Sequence, residues 1–338
     1  MGWSKEVLTE WQITNNAKLK EINESLRPDP GPKTGKIGIF LFGQVGDLAT
    51  AMSVLKYRNE LWPNKEIVWF ANWPNADLLR YAPISEVRPW PWAGNGLPEG
   101  SPDFYPLLCD ENNRLNKELA KNYELTADLE TGYFPAPHMV APEKRVGLDY
   151  PNVSRKVFGI DEKAEWHPVL SWSNKELEKS IFGRLINKII LLETFCGSSQ
   201  SLWDDSMTIE TMRLCREKFG YCNFVFASHK NLDQFQNEEG FCTLKDFTPR
   251  ELALYINNCD LFIGISSGIS VVTSAWGLKK VPKIQFCGSH ICSTQTLATG
   301  EFYPIYTDLN GYPRDIEKER ELGKIKYYET LKKVIETI

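Results

Sequence analysis

The stretch over residues 247–287, FTPRELALYINNCDLFIGISSGISVVTSAWGLKKVPKIQFC, leaves little freedom in how it can fold. Thr248 is a good N-cap and Pro249 suits the first helical position, so a helix is expected over 250–257. From Asp260 a short apolar run reaches Ile265, rich in β-branched and aromatic residues, which predicts one buried parallel strand. Ser266, Ser267 and Gly268 come next, followed by a helix carrying Val271, Val272, Ala275 and Trp276. Gly277 stops that helix, and residues 281–286 resume extended structure.

A strand that ends in small hydroxyl residues and glycine, just before a helix, can hold an anion. The first helical turn leaves backbone N–H groups unpaired, and the macrodipole favours negative charge there. Ser266, Ser267 and Ser270 add hydroxyl donors around Ile269, and Gly268 lets a ligand approach the backbone. An ordinary turn in which a serine only caps its helix has the same signature. Both readings stand on the loop alone.

An earlier segment repeats the grammar. Residues 36–42 (KIGIFLF) form the first convincing strand, Gly43, Gly46 and Asp47 follow, a helix is expected over 48–61, and residues 66–71 form a second strand. A dinucleotide fingerprint is excluded. The glycine spacing is not G-x-G-x-x-G, and the second strand ends in Ala71, Asn72 and Trp73, with no acid for a ribose.

Taken together, the two segments resemble the heptosyltransferase-like glycosyltransferases (family 9, GT-B fold) over roughly residues 36–71 and 188–287. The family's donor-side run is matched by Asp260, Gly264, Ser266, Ser267, Gly268, Gly277 and Pro282, and its opening G-x-x-G-D loop by Gly43, Gly46 and Asp47. Ser266 stands where the family has aspartate, Ser201 where it has lysine, and Ala51, Met52 and Ser53 where a helical proline is usual. The resemblance implies an α/β, GT-B-like fold, two Rossmann-like domains with parallel sheets facing a cleft. It implies metal-independent transfer of a sugar, with inversion, from a nucleotide-diphosphate sugar to a carbohydrate, glycolipid or other hydroxyl acceptor, with no further cofactor. Asp47 would be the general base, since a carboxylate within reach of an alcohol can take its proton as the new bond forms. Capping of its own helix is the alternative role for Asp47.

The donor side would include Thr194, Gly197, Ser198 and Gln200 after the strand at 188–193, with His229 at the end of the strand at 223–229. Arg250 is a candidate for the cation missing at Ser201, and the 266–270 loop would hold the diphosphate. On the acceptor side stand Gly43 and Gly46, with Trp90 and Trp92 from an aromatic, proline-rich insertion over 84–142 that offers faces for stacking on sugars. The expected organisation is an N-terminal helix and linker (1–35), an acceptor-side domain (36–170) and a hinge (171–187). A nucleotide-sugar domain (188–310) and a C-terminal helix packing back on the first domain (311–338) complete it. A nucleotide-sugar epimerase or hydrolase of the same fold, or an inactive nucleotide-sugar or glycan-binding protein, are the alternatives.

Bulk properties narrow the remaining classes. The 338 residues suffice for two domains, and 42% hydrophobic with 25% charged residues is a globular composition. A net charge of -5 without a dense basic cluster argues against nucleic acid as a partner. No run approaches the ~18 apolar residues of a membrane span, and no signal-peptide core is seen, so a cytoplasmic location is expected. The eight cysteines lack C-x-x-C pairs and read as reduced thiols; Cys287, His290 and Cys292 offer three metal ligands without a fourth nearby.

Overall fold

The computed structural model describes residues 35–41, 45–90, 123, 125–128, 150–179, 187–194, 203–227, 232–244, 247–265, 267–287, 303–306, 325, 327–329 and 331–336. Contacts along the chain divide it into two units. The first comprises Met1–Gln44, Tyr57–Ala76 and Pro83–Pro135, and the second Val45–Lys56, Asp77–Ala82 and Ala136–Ile338.

The first unit holds a parallel sheet of β1 (Ile37–Leu41), β2 (Ile67–Asn72), β3 (Glu86–Trp90) and β4 (Leu125–Asp128), in the order β3-β2-β1-β4. β1 sits between two partners, with Ile37 opposite both Ile67 and Leu125. That position explains why its residues read as a continuous apolar run rather than an alternating one. β3 carries Pro89 and lies at the edge of the sheet, where a missing N–H costs no ladder bond.

After β1 the chain enters α1 (Val45–Ala51), a 3-10 stretch (Met52–Tyr57) and α2 (Arg58–Leu61), in place of the single helix expected over 48–61. α1 belongs to the second unit. It packs there with α3 (Tyr150–Phe158), whose Arg155 guanidinium lies 5.4 Å from the Trp166 ring and donates to the Ala164 carbonyl at 3.1 Å. α4 (Asn174–Lys179) follows, within the segment expected to be a hinge. The start of that segment is packed: the Trp172 indole N–H donates to the Arg250 carbonyl at 2.7 Å.

The second unit is built on a six-stranded parallel sheet. Its strands are β5 (Lys188–Glu193), β6 (Cys222–Ala227), β7 (Phe241–Leu244), β8 (Leu261–Ile265), β9 (Lys283–Cys287) and β10 (Tyr303–Tyr306), in the order β10-β9-β8-β5-β6-β7. Between its strands lie α5 (Asp205–Phe219), α6 (Pro249–Leu254) and α7 (Gly268–Val272). Relabelled from β5, the order is the doubly wound 3-2-1-4-5-6, and the winding reverses between β5 and β8.

Side-chain alternation along the central strands sorts the core into two layers. Ile190, Leu192, Phe224, Phe226, Leu261 and Ile263 point to the layer of α5, with Met207, Met212 and Cys215. Ile189, Leu191, Val225, Ala227 and Phe262 point to the layer of α6, with Leu252, Tyr255 and Ile256. The C-terminal helical residues within 325–336 join the first of these layers. Tyr327, Leu331, Val334 and Ile335 are buried in it, and the Tyr327 hydroxyl lies 2.6 Å from Thr211 Oγ1. This corrects the expectation that the terminal helix packs back on the first domain, for its buried face completes the second unit's own core.

Candidate active site

Local sequence rules build the ends of the strands where a ligand would sit. Thr248 caps α6, accepting from the Glu251 N–H at 3.3 Å, while Glu251 accepts from the Thr248 N–H at 3.0 Å. The helix so started carries the chain to β8. There Asp260 accepts from the Ile189 N–H at 3.0 Å and fixes the start of β8 against β5. The two strands then run in register, with Glu193 opposite Gly264 at their carboxyl ends. In an open α/β sheet the crevice outside such ends, where the winding reverses, is the ligand position.

Ser267 occupies that place. Its hydroxyl accepts from the Ile269 N–H at 3.1 Å and the Ser270 N–H at 3.2 Å, and Ser270 Oγ donates to the Ser267 carbonyl at 2.7 Å. With two N–H groups already directed at its oxygen, the hydroxyl proton points at the Glu193 carboxyl, whose oxygens lie 2.5 and 2.6 Å away. Glu193 is 1% exposed, and burial pushes its carboxyl up to about 8 against the weaker, opposing pull of the Ser267 hydrogen bond. The turn is therefore a complete capping box. The two N–H groups and two hydroxyls expected to face an anion are satisfied inside the protein.

Gly268 also has an internal reason to be glycine. A Cβ there would stand 2.6 Å from Val45 Cβ and 2.7 Å from the Gly46 nitrogen, so the chain at α7 closes directly onto the first turn of α1. That turn carries Asp47, which is 8% exposed. Lys56 Nζ lies 3.5 Å from the Trp276 ring centroid and 2.7 Å from the Glu165 carboxylate, and the Trp276 backbone N–H donates to the Pro168 carbonyl at 2.9 Å. α1 and α7 thus meet at their first turns.

Arg250 has a different place from the one expected. Its side chain is 1% exposed and donates to the Asp77 and Ser171 carbonyls, at 3.0 and 2.9 Å, and to both oxygens of Glu176. Asp77 Oδ2 is 3.4 Å away. This corrects the reading of Arg250 as a cation for the diphosphate, because a guanidinium neutralised by two carboxylates and sealed from solvent is a structural tie. Trp203 is likewise internal: its indole N–H donates to Thr208 Oγ1 at 2.9 Å and its ring meets Tyr327 edge-on at 5.2 Å. Asp204 caps α5 by accepting from the Met207 N–H at 3.0 Å.

Of the other expected site residues, Thr194 is half-buried at the end of β5, and Ile269 packs beside the α6-side core. Trp90 lies in β3, its side chain outside the described residues, as are Gly43, Trp92, Gly197, Ser198, Gln200, His229 and Ser266. The possible metal ligands His290 and Cys292 also lie outside them. Among the described residues no group of three or more His, Cys, Asp or Glu side chains is gathered for a metal, and no helix is long and apolar enough to cross a membrane.

Glu193 is the residue that sequence reasoning missed. A glutamate closing an apolar strand reads as a solvent-facing terminus. The available signal was its parity: Ile189, Leu191 and Glu193 share one face, and the first two are core.

No protein-family model matches the sequence, and no curated protein matches it. Solved structures do. A family 9 glycosyl transferase from Veillonella parvula DSM 2008 is 15% identical, with a TM-score of 0.62 over 92% of this chain and 98% of that one. The E. coli heptosyltransferase WaaC with ADP is 12% identical, with a TM-score of 0.57 over 90% and 100%. E. coli ADP-heptose LPS heptosyltransferase II is 16% identical, with a TM-score of 0.54 over 87% and 99%. At these identities the likeness establishes architecture: the chain has the fold of the GT-B glycosyltransferases.

Proposed function

We propose that this chain is a glycosyltransferase that takes its sugar from a nucleoside-diphosphate donor. The carrying observation is the meeting of the first turn of α1, bearing Asp47, with the turn at Gly268, beside the carboxyl ends of β5 and β8. A donor in that crevice would present its anomeric carbon near the one carboxylate that follows β1. One structure of like fold is described as an ADP-heptose heptosyltransferase and another as a heptosyltransferase with ADP, and this supports a nucleoside-diphosphate sugar as the donor class.

The chemistry follows from those positions. An acceptor hydroxyl attacks the anomeric carbon from the face opposite the diphosphate, giving inversion. Asp47 takes the hydroxyl proton as the new C–O bond forms, and the bond to the diphosphate oxygen breaks with its electron pair leaving on the nucleoside diphosphate. Asp47 sits in the first turn of α1. No step needs a metal or another cofactor. The acceptor is a carbohydrate or other hydroxyl compound, with Trp90 and Trp92 as stacking faces.

A second reading, binding of a nucleotide sugar without turnover, is favoured by one observation: Arg250 is spent on Glu176 and Asp77, and Ser201 stands where the related enzymes have lysine. Replacing Asp47 separates the two. Release of nucleoside diphosphate from ADP-, GDP- and UDP-sugars is measured with a mixed glycan acceptor for the wild type and Asp47→Asn. Transferase chemistry predicts a loss of about 100-fold or more with nucleotide affinity kept within about twofold. An active wild type whose rate is unchanged by the substitution removes Asp47 as base; an inactive wild type that still binds nucleotide favours the second reading.

A further inference from the structure

Glu193 has no part in the chemistry described above, yet it is a buried carboxyl at the reversal between β5 and β8. Its environment can be stated from each side. β5 places it at the end of a strand whose last five residues are buried. β8 presents Gly264, whose missing side chain leaves Glu193 Cβ 3.4 Å from where a glycine Cβ would stand. α7 presents the Ser267 hydroxyl to both carboxyl oxygens.

We propose that Glu193 is a positioning residue for the donor-binding turn: its buried carboxyl holds the Ser267 hydroxyl, and through it the first turn of α7, at the reversal of the sheet. The link to a donor rests on the proposed function, but the positioning itself is a property of the protein without ligand. The physical link is short. Ser267 Oγ can cap the Ile269 and Ser270 N–H groups in this geometry only while its own proton has an acceptor on the opposite side, and Glu193 is that acceptor. Gly268 must then lie against Val45 and Gly46, so the same link sets the distance between the α7 turn and the turn bearing Asp47.

The state of the carboxyl matters for an anionic ligand. Burial keeps Glu193 protonated at neutral pH, with its shift carried by desolvation and opposed by Ser267. Uncharged, it lets a diphosphate approach the crevice; ionised, it would repel one and draw water into the site. Ligand affinity should therefore fall as pH rises through about 8.

Site-resolved hydrogen exchange of the Ile269 and Ser270 amides, with intrinsic rates divided out, reads the positioning without any ligand. In the wild type, both amides are expected to be protected at pH 7. Glu193→Gln, which still offers an acceptor to the Ser267 hydroxyl, should keep that protection, whereas Glu193→Ala should lose it. Glu193→Leu, which fills the buried space but cannot hold Ser267, should lose it too and covers the case in which the alanine variant does not fold. Protection unchanged in the leucine or alanine variant, or lost equally in the glutamine variant, overturns the proposal. Calorimetric binding of ADP, GDP and UDP to the same proteins reads the donor part. Wild-type affinity should weaken by up to about tenfold from pH 7 to 9, and that of Glu193→Gln should not. A wild type that binds none of the three defeats the donor reading alone, since the exchange result still decides the positioning.

Discussion

Replacing Glu176 with glutamine tests whether the tie around Arg250 is held by charge. Arg250 is 1% exposed and Glu176 11%, so the ion pair is largely withdrawn from solvent. The hydrogen bond from Arg250, the largest influence, holds the Glu176 carboxyl down to about 2 from 4.5. At about 1.4 kcal/mol for each tenfold change, that difference corresponds to about 3 kcal/mol at neutral pH. The folded state releases this proton more readily than the unfolded chain. The contribution is complete above about pH 4.5 and is lost as pH falls toward 2. Glutamine keeps the shape and one acceptor, and Asp77 remains 3.4 Å from the guanidinium. Glu176→Gln is therefore expected to destabilise by about 2–3 kcal/mol at pH 7 and to remove this part of the acid limb. Urea unfolding followed by far-UV circular dichroism, at pH 7, 4 and 2.5, measures both. A variant within about 0.5 kcal/mol of wild type at pH 7, or one with the same acid slope, would refute the argument.

Gly268→Ala forces a Cβ to within 2.6 Å of Val45 Cβ, so it should destabilise by about 1–3 kcal/mol and weaken nucleotide binding together, as overpacked sites do. Unaltered melting temperature and affinity would show that the α1–α7 contact can relax without consequence. Glu193, whose carboxyl is raised rather than lowered, has the opposite sign from Glu176. The folded state keeps its proton while the unfolded chain loses it, so stability should fall from about pH 4.5 to about pH 8, by at most about 1.4 kcal/mol per pH unit. Urea midpoints between pH 5 and 9 should show that slope in the wild type and its absence in Glu193→Gln.

The parts of this fold that could be read in the sequence are those encoded locally. Thr248, Pro249 and Glu251 announce α6, and the runs 188–193 and 261–265 announce two buried strands, because caps and apolar runs act over a few residues. Strand order is not local. The placing of β8 beside β5 joins residues about 70 positions apart, and β3, with its proline, gives no strand signal until its edge position is known. Arg250 looks in the sequence like a cation at a helix start. Its burial depends on Asp77 and Glu176, which arrive from 173 and 74 residues away. The same holds for Ser267, whose hydroxyl is a candidate ligand donor by sequence and a cap donating to Glu193 in three dimensions. The terminal helix was legible as amphipathic, but its partner, the layer with Thr211 and Met212, was not.

The measurement that bears most directly on the central claim is calorimetric titration of the wild-type chain with ADP, GDP and UDP at pH 7, with and without magnesium. A nucleoside-diphosphate-sugar transferase that works without metal predicts selective binding of one nucleotide, with an affinity that magnesium does not change and that Gly268→Ala weakens. Binding of none of the three would contradict the account and leave this chain with the architecture of a glycosyltransferase but not its donor site.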